Sequence, residues 1–132
     1  MDLDQLMANR GELPTTMGIE YVEAGPERTV MRMPVEGNRQ PFGLLHGGAS
    51  GVLIETAGSI AASLHAYPLG KIAVGIELSV SHHRGIREGF VTCSAVALSL
   101  GKTLATYQCE VVDEEGRRIA TGRLSCVLRD AS

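Results

Sequence analysis

One residue in this chain is out of keeping with its neighbours. From Gln40 to Ala62 the sequence reads QPFGLLHGGASGVLIETAGSIAA, small and apolar almost throughout, with Glu55 its one carboxylate beside Leu53, Ile54 and Ala57. An isolated ionised carboxylate is costly to bury, so it is paired, protonated or in use. Ser59 follows four residues later, on the same face of a helix, where a hydroxyl can hold a carboxylate or a water. The segment opens on His46, Gly47 and Gly48. The first turn of a helix has unpaired N–H groups and a partial positive charge. Bare of side chains, those N–H groups can touch a ligand oxygen, which is how an oxyanion hole is made. Phosphate is the other ligand of such a helix start, but no GxxxxGK followed by Ser or Thr occurs, so a nucleotide P-loop is not indicated. The plainer readings are a Gly-rich loop, a Glu on a solvated stripe and a capping His46.

Spacing limits what these residues can do together. Eight residues of helix span roughly 12 Å at ~1.5 Å each, whereas groups acting on one carbonyl must lie about 3 Å from the reacting atoms. Glu55 therefore cannot work with the Gly47 N–H of its own helix. It can work with that of a second, antiparallel copy, and a two-fold dimer supplies the pairing twice.

Other chemistries find less support. No GxSxG elbow is present. The four histidines, His46, His65, His82 and His83, show no metal spacing with acidic partners, and His82 and His83 point to opposite faces of a strand. No metal is expected. Cys93, Cys109 and Cys126 stand far apart without a CxxC pair and read as buried thiols of a reducing cytosol. Arg84 and Arg87, with Lys102 near the next turn, could meet a phosphate-bearing ligand or simply solubilise a loop. The net charge of −3 gives no general pull towards nucleic acid. The N-terminus lacks the apolar core of a secretory signal, and no apolar run nears the ~20 residues of a membrane span. A cytoplasmic protein is expected.

The elements that must position these residues follow from periodicity. The length of 132 residues suits one domain, expected over 1–132. Leu3 to Asn9 predict a short helix, residues 17–25 and 28–35 two strands, and His46 to about His65 one long helix. After Pro68 the period becomes two, predicting strands over 71–82, 89–100, 102–113 and 118–129. On the third of these, Ala105, Tyr107, Cys109 and Val111 share one face. One helix against a large antiparallel sheet makes an α+β fold with the sheet curled round the helix. The helix is rich in Gly and Ala, a cost tolerated where a wrapped sheet or a second helix comes close to its backbone.

The stretch from Gln40 to Ser59, with HHRGIREG from His82 to Gly89, resembles the hotdog-fold acyl-CoA thioesterases, in particular the PaaI-like branch with its 4-hydroxybenzoyl-CoA and 1,4-dihydroxy-2-naphthoyl-CoA thioesterases. The resemblance covers roughly residues 13–129. It implies a homodimer with two active sites at the interface, commonly a tetramer. The family's catalytic carboxylate falls on Glu55, the amide that polarises the thioester carbonyl on Gly47, and the Gln that positions carbonyl or water on Gln40. Its hydroxyl after the carboxylate falls on Ser59, and His46 matches the family's His. Arg84 matches the basic residue at the nucleotide end of CoA, and Lys102 and Thr103 lie where phosphate contacts are seen. Gly85 departs from the pattern, since many relatives carry Pro after the Arg.

The expected activity is hydrolysis of an acyl-CoA thioester with an aromatic or otherwise bulky acyl group. It needs no cofactor, CoA being part of the substrate, and neither nucleic acid nor membrane is an expected partner. Two alternatives share the fold: a hotdog dehydratase acting on CoA or carrier-protein esters, and a non-catalytic acyl-CoA-binding protein.

Overall fold

The structure, a computed structural model, describes residues 3–9 and 11–131. Met1, Asp2, Arg10 and Ser132, which a domain over 1–132 includes, lie outside the described residues. The chain makes helices α1 (Leu3–Ala8), α2 (Glu12–Met17) and α3 (Gly47–Ala66), and strands β1 (Glu20–Glu23), β2 (Arg28–Pro34), β3 (Lys71–His82), β4 (Phe90–Leu100), β5 (Leu104–Asp113) and β6 (Arg118–Asp130). All six strands join one antiparallel sheet in the order β1-β2-β4-β5-β6-β3. This is the α+β hotdog architecture: a long helix with a curled sheet around it.

Alternation builds the sheet's inner face. Val91, Cys93 and Ala95 of β4, Ala105, Tyr107, Cys109 and Val111 of β5, and Leu124 and Cys126 of β6 are all fully buried against the helix. Tyr107 is the largest of them, and its hydroxyl donates to the Pro26 carbonyl at 2.5 Å. The helix contributes Leu53, Ile54, Ala57, Ala61 and Ala62. Its glycines serve the close wrap. A Cβ on Gly58 would stand 2.7 Å from Leu124 Cδ2, and one on Gly122 of β6 would stand 2.9 Å from Ile54 Cδ1. Of the two explanations for a small-residue helix, Gly58 supports the wrapped sheet. After Ala66, Pro68 and the left-handed Gly70 (φ 70°) end the helix and turn the chain into β3.

The N-terminal region differs from expectation. In place of a strand starting at Met17, α2 occupies Glu12–Met17, and β1 is confined to Glu20–Glu23. Gly18 is the reason. Its φ of 76° closes α2 with bonds from Gly18 N–H to Thr15 O (3.1 Å) and from Ile19 N–H to Pro14 O (2.9 Å). Among the described residues no helix is long and apolar enough to cross a membrane.

Candidate active site

The start of α3 is held by its own first residues. His46 adopts extended backbone (φ −64°, ψ 130°), and its Nδ1 accepts the Gly48 N–H at 2.8 Å, so His46 caps the helix. That bond fixes the tautomer with the proton on Nε2. It also occupies the Gly48 N–H, whereas the Gly47 N–H has no hydrogen bond among the described residues. A side chain at Gly47 would meet the ring of His82 at 2.9 Å.

Two loops complete this end. Asn38 Nδ2 donates to Met17 O and Pro34 O, both at 2.8 Å, while His46 N–H donates to Asn38 O at 2.9 Å. Gln40 Oε1 accepts Phe42 N–H at 2.5 Å, which holds the carboxamide in place. Leu45 N–H reaches Ile86 O (2.8 Å) and Arg39 Nε reaches Arg87 O (2.9 Å), tying this loop to the one after β3. The result is a cavity of about 440 Å3 whose lining includes Gln40, Gly47, His82 and Arg84. Three residues proposed from sequence therefore share one cavity.

Glu55 does not. It is exposed on the side of α3 next to β3, without an ion pair or hydrogen bond among the described residues. Its carboxylate rests over β3, where a Cβ on Gly75 would stand 2.6 Å from Oε2. Opposite Gly75 in the sheet is Cys126 of β6. Burial first, then the charge of Glu55, push the Cys126 thiol up to about 11, with Ser59 within hydrogen-bonding reach of the sulfur and opposing the rise. Ser59 thus has a buried cysteine as a neighbour, which spacing along the helix did not reveal.

His82 and Cys126 are the residues that sequence reasoning passed over. Strict alternation from Ala73 and Gly75 would turn Ser81 and His83 towards the helix. The register shifts between Gly75 and Glu77, and this bulge reverses the parity. Leu78, Val80 and His82 become the inward set, which brings His82 against Gly47, while His83 Nε2 bonds Thr121 Oγ1 at 2.8 Å.

Lys102 and Thr103 lie at the other end of the molecule. Their turn touches the end of α3 through His65 Nε2 and Gly101 O (2.7 Å), and Lys71 Nζ of β3 donates to Lys102 O. The 20 residues of α3 separate them from Arg84, roughly 30 Å at 1.5 Å per residue. Within one chain they do not face one ligand. Among the described residues no three His, Cys, Asp or Glu side chains are grouped to hold a metal ion.

Comparison with known proteins places this geometry. The family model of the Thioesterase superfamily matches residues 42–120. The proofreading thioesterase EntH of Cronobacter turicensis is 43% identical over 127 residues, 95% of this chain and 92% of that protein. EntH of Cronobacter sakazakii is 41% identical over 130 residues, 97% of this chain and 94% of that protein. A mutant of thioesterase PA1618 from Pseudomonas aeruginosa superposes with a TM-score of 0.89 at 35% identity, covering 97% of this chain and 94% of its own. Thioesterase HI1161 from Haemophilus influenzae gives 0.87 at 36% identity, covering 97% and 88%. With a free helix-start amide, a cavity beside it and an exposed carboxylate further along the same helix, the chain belongs to the Thioesterase superfamily and is a PaaI-like hotdog thioester hydrolase.

Proposed function

We propose that this enzyme is a single-domain cytoplasmic acyl-CoA thioesterase, acting on an aromatic or otherwise bulky acyl group without a metal or redox cofactor. Its two active sites are shared across a homodimer, which itself pairs into a tetramer. In each site the Gly47 N–H receives the thioester carbonyl oxygen. Glu55 of the partner subunit takes a proton from water, whose oxygen adds to the carbonyl carbon. The oxyanion collapses, the C–S bond breaks, and the proton passes to the departing CoA thiolate. Direct attack by the carboxylate, with water opening the resulting anhydride, gives the same products. Gln40 and Ser59 orient the reactants, His46 holds the helix start in shape, and Arg84 meets the nucleotide end of CoA.

One observation carries the reading: the unengaged Gly47 N–H and the unpaired Glu55 carboxylate lie on one helix, too far apart to serve one carbonyl. The edge of the sheet supports the dimer. β3 is a 12-residue edge strand exposing Ile72, Val74, Ile76 and Leu78, the kind of edge that proteins cover. Antiparallel pairing of β3 with its own copy sets the Lys71 end of one chain beside the His82–Arg84 end of the other. Lys102 and Thr103 would then approach the Arg84 of the partner subunit, which accounts for their distance from Arg84 within a chain.

The test is a hydrolysis screen over aromatic, short-chain and long-chain acyl-CoA esters, together with carrier-protein esters, with thiol release as readout. Fastest turnover of aromatic acyl-CoA esters is expected. Absence of thiol release from every acyl-CoA ester would overturn the proposal, and hydration of a crotonyl ester in its place would mark a dehydratase.

A further inference from the structure

From the clasp between the two loops beside the Gly47 cavity, we infer that Arg87 is a positioning residue for Gln40: its guanidinium holds the turn that grips the Gln40 carboxamide by its oxygen, which leaves the Gln40 NH2 group as the end free to donate to a ligand. The inference rests on the proposed role of Gln40.

Three observations converge on it. The first is the carboxamide. Gln40 Oε1 accepts the Phe42 N–H at 2.5 Å and, at 3.4 Å, that of Leu44. Two backbone donors converge only on an acceptor, so the atom they meet is the oxygen and not the nitrogen. The Nε2 hydrogens have no partner among the described residues, and Gln40 shares its cavity with Gly47. Held in this way, the side chain offers a donor. A thioester carbonyl oxygen, and the oxyanion that follows it, is the acceptor such a donor suits, beside the Gly47 N–H.

The second is the turn. Gln40 N–H donates to Leu44 O (2.7 Å) and Gly43 N–H to Gln40 O (3.0 Å), closing a tight loop. Gly43 is left-handed there, with φ 83°. Phe42, at the tip, is 81% exposed, so no core packing fixes it. Arg87 does so from the neighbouring loop: its Nη1 donates to Phe42 O at 3.2 Å, and a Cβ on Gly43 would stand 3.3 Å from that nitrogen. The grip is reciprocal, because Arg39 Nε, from the residue before Gln40, donates to Arg87 O at 2.9 Å. Phe42 therefore links the two side chains: its carbonyl is held by Arg87, and its N–H holds Gln40.

The third separates Arg87 from Arg84. Arg84 is in the wall of the Gly47 cavity and Arg87 is not. Arg87 borders the adjoining cavity, whose wall also carries Glu88, Asp113, Glu114 and Glu115. Four carboxylates make a poor seat for a phosphate. Arg87 acts through the turn and not on the substrate.

The experiment uses the full-length enzyme and the acyl-CoA ester that it turns over fastest. Arg87→Ala is expected to lower kcat about 3- to 10-fold with KM unchanged, the size of one hydrogen bond. Arg39→Ala, which opens the clasp from its other side, should lower kcat by a similar factor. Amide hydrogen exchange gives a readout independent of turnover. The exposed Phe42 N–H should exchange about 10-fold faster in Arg87→Ala than in the wild type, with exchange in β4 and β5 unchanged. Gln40→Glu keeps an acceptor for the Phe42 N–H but loses the donor, so its turnover should fall to that of Gln40→Ala. A raised KM with unchanged kcat in Arg87→Ala would make Arg87 a phosphate contact and overturn the inference. Wild-type exchange of the Phe42 N–H in that variant, or wild-type turnover in Gln40→Glu, would overturn it too. Gln40→Ala measured alongside separates the two levels. If it is inactive while Arg87→Ala has wild-type kcat, the positioning by Arg87 alone is wrong; if it turns over normally, the role of Gln40 falls and the inference with it.

Discussion

The two ends of one potential reaction centre are built differently on the same helix. At the start of α3, backbone groups do the work. Asn38, Gln40 and His46 lock two loops and a helix cap, leaving one N–H over at Gly47. Eight residues on, a side chain does the work. Glu55 stands exposed over Gly75, with Ser59 and Cys126 beneath it. The first end has a free donor and a cavity whose lining carries no carboxylate. The second has an exposed carboxylate, the proposed base. A helix start is the natural home of unpaired N–H groups, and a carboxylate placed there would be drawn into capping. Separating the two along a helix keeps both available, and in the proposed dimer a two-fold axis joins them.

The largest effect should come from the carboxylate end. Glu55→Ala is expected to lower kcat by about 10²-fold or more while the protein keeps its far-UV circular dichroism, as for removal of a positioned base. Near-normal turnover would remove Glu55 from the site.

At the helix start a smaller loss is expected, and it should be confined to one glycine. In Gly47→Ala the new methyl meets the His82 ring at 2.9 Å, so ring and helix start must part. A fall in kcat of about 10-fold is expected, since displacements of this scale misalign reacting groups. Gly51→Ala, one turn on, meets only Leu78 and Val80 at 3.8 Å and should stay within about twofold of wild type. Equal losses in steady-state kinetics would mean that helix backbone in general, and not the Gly47 donor, is what matters.

The smallest effect is on binding. Arg84→Ala should raise KM for CoA esters several-fold with little change in kcat, because a phosphate contact far from the carbonyl is similar in ground and transition states. Wild-type KM should rise with ionic strength for the same reason. An unchanged KM would make Arg84 a solvated loop charge.

How much of this was legible in the sequence divides along the same line. The long helix could be read because small and apolar residues, with few interruptions such as Glu55, run from His46 and stop at Pro68. The strands from Lys71 to Asp130 could be read from their period of two, with Tyr107 and Cys109 on one shared face, which is the buried one. The missing information is lateral. Cys126 reads as one more buried thiol until the register sets it opposite Gly75 and under Ser59. His82 and His83 differ only by parity, and the bulge after Gly75 decides which of them meets Gly47. A single inserted residue leaves no compositional mark in KIAVGIELSVSH. Likewise α2 was hidden because Gly18 ends a helix there through its φ of 76°, where sequence alone offered a strand.

The central claim is that Gln40 and Gly47 serve one site and Glu55 of the same chain serves the other. Mixing subunits tests it most directly. Gln40→Ala and Glu55→Ala are each inactive under this account. Unfolded together in equal amounts and refolded, half of the dimers are mixed if pairing is random. Each mixed dimer has one site with both lesions and one with neither, so activity should return to about a quarter of wild type, while each mutant refolded alone stays inactive. Mixed dimers that form and show no more activity than those controls would place both residues in one chain's site and contradict the account.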